Sequence, residues 1–289
     1  MHILVTGANG QLGQELKNLP NTDATYFFTD IEELDITQIE DIRRFVDKHQ
    51  INVIINCAAY TNVDKAEEAI DQAELINVQA VANLARISKN SNVTLIHIST
   101  DYVFGGSCIN TPIKEDTTTN PLGVYGQTKL MGEKEIIKSG CKYIIIRTAW
   151  LYSAYGNNFV NTILRLSRER ESLNVVYDQV GTPTYAGDLA LVIKMMAESE
   201  FPQKQGIYHF SNEGAISWFD FAKAIIELNG NKCKINACSS EDFETSVSRP
   251  NYSVLDKTKI KQTLGLGIPY WKDSLKVCLS KINELYGKA

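Results

Sequence analysis

Short runs rich in Val, Ile, Thr and aromatic residues alternate with longer stretches of helical spacing through the first half of the chain. Residues 3–6, 25–29, 53–56, 93–99 and 143–147 read as strands. Between them, residues 37–49 place Ile39, Ile42, Phe45 and Val46 on one helical face, and residues 71–89 place Leu75, Val78, Ala82 and Ala85 near the same spacing. Strands and helices in alternation predict an α/β fold with a parallel sheet covered on both faces, since each crossover returns the chain to the same end of the sheet. The expected architecture is a Rossmann-type, doubly wound sheet over residues 1–150.

Beyond about residue 150 the regularity weakens, and Gly, Asn and Ser separate isolated helical patterns at 217–228 and 271–286. These predict a smaller, interleaved substrate-binding lobe over 151–289. A strand at 175–177 and a helix at 188–198 are expected to return to the first sheet, so the boundary is not a single cut. No internal repeat or low-complexity segment stands out.

Composition narrows the function classes. Among 289 residues, 44% are hydrophobic and the net charge is −5 with both signs interspersed, so no basic face is available for a nucleic acid backbone. No apolar run approaches the length needed to cross a bilayer, and the N-terminal run is too short for a signal peptide. Cytoplasmic residence is the expectation. The cysteines (Cys57, Cys108, Cys141, Cys233, Cys238, Cys278) are scattered, with no paired spacing and no histidine cluster, which predicts neither a zinc site nor a disulfide framework.

The first predicted strand runs into Gly7-Ala8-Asn9-Gly10-Gln11-Leu12-Gly13 and then a helix. Gly7 permits a tight turn, Gly10 lets backbone approach a pyrophosphate, and Gly13 lets helix and strand pack closely, while the helix N-terminus offers free N–H groups. An acid, Asp30, closes the second strand roughly 20 positions further on, where a carboxylate can hold an adenosine ribose. Ile31 follows in place of an arginine that could hold a 2'-phosphate. The cofactor predicted is NADH or NADPH, with NADH used at least as well. Asp30 can also be read as a turn acid.

Tyr125 and Lys129 lie four residues apart on a helix expected over 124–138 and stopped at Gly140. The phenol has an ordinary pKa near 10, and a neighbouring ammonium would draw it toward neutrality. Ser99, Thr100 and Asp101 close a strand upstream, at the sheet end where open α/β sheets bind ligands. The expected roles are proton donation to a carbonyl by Tyr125, a hydrogen bond to that oxygen from Thr100, and ribose and charge contacts from Lys129.

With the glycine turn, Asn56-Cys57-Ala58-Ala59-Tyr60-Thr61, Ser99-Thr100-Asp101 and the Tyr125/Lys129 pair in this order, the chain resembles the extended short-chain dehydrogenase/reductases. Further segments (Glu33 to Thr37, Val63 to Glu67, Ser99 to Phe104, Arg147 to Trp150, Asp178-Gln179, Gly181 to Thr184 and Arg249-Pro250) resemble the branch that reduces dTDP-linked 4-keto deoxysugars. The resemblance implies that Asp35 and Ile36 border the adenine, and that Ala58, Ala59 and Tyr60 line the cofactor cleft. It also implies that Val63, Asp64, Asp101, Tyr102 and Trp150 surround the sugar, with Arg249 toward the diphosphate. Trp150 and Tyr102 can equally be core aromatics, Asp64 a helix cap, and Arg249 a structural ion-pair partner. Some family members are metal-linked dimers held through glutamates; Glu15 matches one such position but Gly187 stands at the other, so no metal is predicted and the oligomeric state stays open. Alternatives within the resemblance are a nucleotide-sugar 4-epimerase and a non-catalytic regulatory subunit similar to that of methionine adenosyltransferase. A dehydratase would carry a glutamate where Tyr102 stands.

Overall fold

The computed structural model describes every residue except 21, 108–109, 200–203, 243–246 and 288–289. In chain order the elements are β1 (His2–Thr6), α1 (Gln11–Lys17), β2 (Thr25–Thr29), α2 (Ile39–His49), β3 (Val53–Asn56), α3 (Val63–Ala66), α4 (Ile70–Glu74), α5 (Ala80–Asn90), β4 (Thr94–Thr100), α6 (Gly123–Ser139) and β5 (Lys142–Thr148). There follow β6 (Leu151–Tyr152), α7 (Phe159–Glu169), β7 (Ser172–Val176), β8 (Val180–Gly181), β9 (Thr184–Tyr185), α8 (Ala186–Glu198), β10 (Gly206–His209), β11 (Ile216–Ser217), α9 (Trp218–Asn229), β12 (Lys234–Cys238), α10 (Thr258–Leu264) and α11 (Trp271–Tyr286).

Six parallel strands form the central sheet in the order β2-β1-β3-β4-β5-β10. The winding direction reverses between β1 and β3, which opens a crevice at their C-terminal ends. One face of the sheet is covered by α1, α8 and α10, whose Leu12, Leu16, Leu189, Ile193 and Ile260 pack on Ile3, Val5, Ile55 and Ile146. The other is covered by α2, α5 and α6, with Ile42, Val46, Leu84 and Ile136 against Leu4, Ile54, Leu95 and Ile145. Alternate strand residues thus feed both layers, which is why these strands read as continuous apolar runs. A separate core joins α7, α9 and α11 to the parallel pair β7–β12, around Tyr152, Phe221, Ile225 and Leu275.

Two sequence expectations differ from the structure, and one strand had no expectation. The strand expected near 175–177 does not enter the central sheet; it is β7, paired with β12. The sixth central strand is instead β10, whose Gly-Ile-Tyr-His carries too little alternation to announce itself. The helix expected over 71–89 is interrupted: a π-helical turn, Leu75–Gln79, joins α4 to α5. Its extra residue rotates the apolar face, so Asn77, Ala80, Val81 and Leu84 are buried while Leu75 is exposed.

Five cysteines, Cys57, Cys141, Cys233, Cys238 and Cys278, are free thiols, and Cys108 lies outside the described residues. No helix among the described residues is long and apolar enough to cross a membrane.

Candidate active site

The glycine turn sits where β1 meets the crevice. Gly7 has φ +68°, and a Cβ there would lie 2.6 Å from the Ala58 nitrogen; one on Gly13 would lie 2.5 Å from the Ala8 Cα. Gly10 is exposed, and a Cβ on it would meet only the Gly7 carbonyl, at 3.3 Å. Two glycines therefore serve packing, and the middle one leaves the turn open toward the crevice, as a cradle for a phosphate requires. Leu12 is buried in the core, so only its backbone can face a ligand. The Gln11 side chain accepts from Asn158 at 3.0 Å, tying the turn to the loop before α7.

Asp30 reaches over this turn: its carboxylate accepts from the Asn9 N–H and the Ile31 N–H, both at 2.9 Å. Asp35 accepts from the Thr37 N–H and hydroxyl at 2.9 and 2.7 Å, a local turn before α2, and Ile36 is buried beside it. On the other wall of the crevice, Ala58, Ala59 and Tyr60 follow β3. The Tyr60 peptide is clamped by Asn77, which accepts from its N–H at 2.9 Å and donates to its carbonyl at 3.1 Å. Asn77 also donates to Thr128 on α6 at 3.1 Å. The π turn explains itself in this way, because it delivers a buried amide to this wall of the crevice.

Tyr125 lies in the first turn of α6. Gly126 lets that helix touch the short 3-10 turn at Asp101–Phe104, since a Cβ there would be 2.7 Å from the Tyr102 carbonyl. The Glu67 carboxylate accepts from the Val124 N–H at 2.7 Å and secures the helix start. Tyr125 and Tyr102 consequently meet edge to face at 5.4 Å, and the Thr100 hydroxyl, which donates to Asp101 at 3.1 Å, lies beside the phenol. Burial raises the Tyr125 pKa, opposed by the Thr100 hydroxyl and reinforced by Asp101 and Tyr102. Asp101 itself is pushed up to about 6 by burial, against the hydroxyls of Ser253 and Thr100.

Two expectations about this cluster change. The Lys129 ammonium was expected to draw the phenol's pKa down. Instead Nζ is turned inward, donating to the Ile98 carbonyl at 2.7 Å and lying 3.3 Å from His97 Nε2, and burial lowers Lys129 to about 8. Ser99, expected at the ligand-binding end of its strand and among the residues that bind the cofactor, gives its hydroxyl to Glu133 at 2.5 Å. Glu133 is in turn a buried ion-pair partner of Arg147 at 2.7 Å, so the Ser99 side chain belongs to the core.

Val63 and Asp64 begin α3. Asn62 caps that helix by accepting from the Lys65 N–H at 3.0 Å, so Asp64 is not its cap. Asp64 pairs with Arg249 at 3.1 Å, and Arg249 Nε has no hydrogen-bond partner among the described residues. Trp150 sits just after β5 with φ +48° and stacks on Trp218, ring centres 3.5 Å apart and planes 9° from parallel. Sequence reasoning missed Trp218, Asn77, Glu67 and His97. Glu67 alone left a trace, as the last residue of the Val63 to Glu67 segment.

The family model described as the RmlD substrate binding domain matches residues 1–284. The chain belongs to the RmlD family. A dTDP-4-dehydrorhamnose reductase of Aggregatibacter actinomycetemcomitans is 42% identical over 285 residues, covering 95% of this chain and 97% of the relative. A crystal structure of such a reductase from Clostridium acetobutylicum superposes with a TM-score of 0.92 at 42% identity, covering 98% of this chain and 100% of that one. Another, from Bacillus anthracis and in complex with NADP, gives 0.92 at 38% identity over 97% and 99% of the two chains. Membership in the RmlD family supports reduction of a dTDP-sugar ketone and does not favour the epimerase or regulatory-subunit alternatives.

The glutamate-linked metal known from some RmlD-family dimers does not suit these residues. Glu15 is buried, and its carboxylate accepts from Ser153 at 2.7 Å and from the Lys281 ammonium at 2.5 Å. At Gly187 a Cβ would lie 2.5 Å from the Tyr185 ring, and Asp188 accepts instead from Asn212 and Ser274 at 2.6 and 2.5 Å. A lysine cation already neutralises the one glutamate present.

Proposed function

We propose that the chain reduces the C4 ketone of dTDP-4-dehydro-L-rhamnose to dTDP-L-rhamnose, with NADH or NADPH as reductant. The observation that carries this reading is the convergence of Thr100, Tyr102 and Tyr125 at the crevice end of the sheet, opposite a glycine turn open for a pyrophosphate. The coenzyme, when bound, supplies the hydride; the remaining chemistry belongs to this chain's own side chains.

Tyr125 gives its phenolic proton to the C4 oxygen. Burial keeps the phenol protonated at neutral pH, the state a proton donor needs, and its place in the first turn of α6 puts the positive helix end beside the phenolate that forms. Thr100 orients the reacting oxygen and the phenol together. Tyr102, Asp101, Val63 and Trp150 shape the sugar pocket, and Arg249 takes the diphosphate. Gly7, Gly10, Gln11, Leu12 and Gly13 hold the coenzyme's pyrophosphate through their backbone, Asp30 its ribose, and Asp35 and Ile36 border its adenine. Ala58, Ala59, Tyr60, the Ser99 backbone and Lys129 line the nicotinamide end. The core around α7, α9 and α11 is the substrate-binding lobe.

Asp30 places a negative charge where a 2'-phosphate would sit, so NADH is used at least as well as NADPH. A strong kinetic preference for NADPH would contradict this. The activity itself is tested by incubating the pure protein with dTDP-4-dehydro-L-rhamnose and either coenzyme, following reduced-nicotinamide absorbance and identifying the sugar by NMR. Stoichiometric oxidation with formation of dTDP-L-rhamnose is expected. Sugar turnover without net NADH loss would point to an epimerase, and NADH binding without oxidation to a regulatory protein.

A further inference from the structure

Beneath Lys129 a chain of buried side chains runs inward across the sheet, and the reaction above leaves it unused. Asn56 closes β3; its Oδ1 accepts from the Ala58 N–H at 3.2 Å and from the Thr6 hydroxyl at 2.7 Å. Its Nδ2 lies 3.0 Å from Nδ1 of His97, the residue in register with it on β4. The other ring nitrogen, Nε2, faces Lys129 Nζ at 3.3 Å. Asn56, His97 and Lys129 are each buried to within 2% of complete.

The donors and acceptors in this chain can be counted. A peptide N–H only donates, so Ala58 fixes the amide with Oδ1 toward itself and Nδ2, also only a donor, toward His97. Nδ1 is then the acceptor nitrogen, and a neutral imidazole carries its proton on Nε2, pointing at Lys129. An ammonium has three donors and no lone pair, so the nitrogen that receives Nε2–H is a free amine. Every arrangement with a charged Lys129 sets two donors against each other. Moving the ring proton to Nδ1 opposes it to the Asn56 amide, and flipping that amide transfers the clash to the Ala58 N–H. Unpaired donors in such a place are costly.

We propose that His97 is a positioning residue that holds Lys129 as a neutral amine in the coenzyme-free protein, so that coenzyme binding takes up a proton at Lys129. The proposal rests on the coenzyme half of the reading above and not on the identity of the sugar. Bound coenzyme brings phosphate charge and ribose oxygens, surroundings that favour the ammonium. The titratable groups facing Nζ are His97 on β4, Cys57 after β3 and Glu133 one turn along α6. Glu133 is already paired with Arg147. Burial brings Lys129 down to about 8 against the pull of Glu133 and Cys57, and the donor clash acts in the same direction. Burial holds His97 well below its ordinary range, which keeps the ring neutral.

The tautomer is readable in protein free of coenzyme and sugar. In a long-range 1H–15N spectrum at about pH 8, with backbone-linked assignments, His97 should show a protonated Nε2 and a bare Nδ1. His209 supplies the opposite case within the same molecule, because its Nδ1 lies 3.0 Å from the Ile113 carbonyl and must donate. A protonated Nδ1 on His97, or an imidazolium, overturns the proposal. Calorimetric titration with NADH in two buffers of different ionisation heat should show uptake of about half to one proton at that pH, since an amine lowered to about 8 or below is at least half unprotonated there. In His97→Gln, whose amide can turn its oxygen to an ammonium, uptake should fall toward zero. Absence of uptake in the wild-type protein also overturns the proposal, whatever the variant does. Failure to reduce any dTDP-4-keto sugar would sink the proposed substrate while leaving the tautomer to be read independently.

Discussion

Trp150 and Trp218 stack face to face with ring centres 3.5 Å apart, joining the end of β5 to the first residue of α9. Aromatic quadrupoles favour offset or edge-on arrangements, so both partners are held here by their surroundings. Trp150 has a left-handed backbone and lies against Gly181, where a Cβ would approach the indole to 2.6 Å. Trp218 is fixed by the capping box between Ser217 and Asp220 and by Phe159 at 4.6 Å. Trp218→Ala should free the Trp150 indole and raise KM for the dTDP-sugar about 2- to 10-fold, the range that ring pairs of about 0.5–1.5 kcal/mol allow. The exciton couplet of the paired indoles in circular dichroism should vanish, and NADH affinity should hold. Loss of the couplet with an unchanged KM would separate Trp218 from substrate binding.

Tyr125→Phe removes one hydroxyl from a packed ring and leaves the edge contact with Tyr102 available. Turnover should fall roughly a hundred- to ten-thousandfold, the usual worth of a positioned proton donor. NADH binding and the unfolding midpoint should change little. Retention of more than a tenth of wild-type turnover would move the proton donor elsewhere.

Asp101 makes stability depend on pH with a definite sign. Its carboxyl is held up to about 6 by burial, opposed by Ser253 and Thr100, from its ordinary value of 3.8. The folded protein therefore keeps a proton that the unfolded chain has released, and stability contributed below the unfolded pKa is lost as pH rises through about 6. Asp101→Asn abolishes that loss. Relative to wild type, the variant should gain on the order of 3 kcal/mol between about pH 4 and pH 7, at about 1.4 kcal/mol per unit. Urea unfolding of both proteins at the two pH values measures it, and a difference that does not change with pH contradicts the assignment.

Arg249 and Asp64 can be separated by their variants. An Arg249 that serves the diphosphate should, on conversion to Ala, raise KM for the sugar nucleotide about 10- to 150-fold, as for a charged hydrogen bond of about 1.5–3 kcal/mol. Asp64→Asn should then cost much less. Equal losses in steady-state kinetics would reduce Arg249 to a partner for Asp64.

Local chemistry made much of this readable from sequence. The helix carrying Tyr125 was bounded within a residue because Gly140 takes φ +67° at its end. The glycine turn and the first strands follow from residue types that admit few other conformations. Long-range packing hid the rest. One added residue in the π turn rotates a helix face without disturbing its composition, β10 is a strand because β5 lies beside it, and Trp218 meets Trp150 across 68 positions of chain. Lys129 shows the limit most clearly. Helical spacing put it beside Tyr125, but the carbonyl of Ile98 and the ring of His97, both on β4, decide where its amine points.

The claim at the centre is that the Tyr125 phenol protonates the sugar ketone. A crystal structure of the protein with oxidised coenzyme and dTDP-L-rhamnose tests it most directly. The account predicts Tyr125 Oη within hydrogen-bond reach of the sugar C4 oxygen, about 2.6–3.2 Å, with Thr100 on the same oxygen. A phenol walled off from the sugar, with another group holding that oxygen, would contradict it.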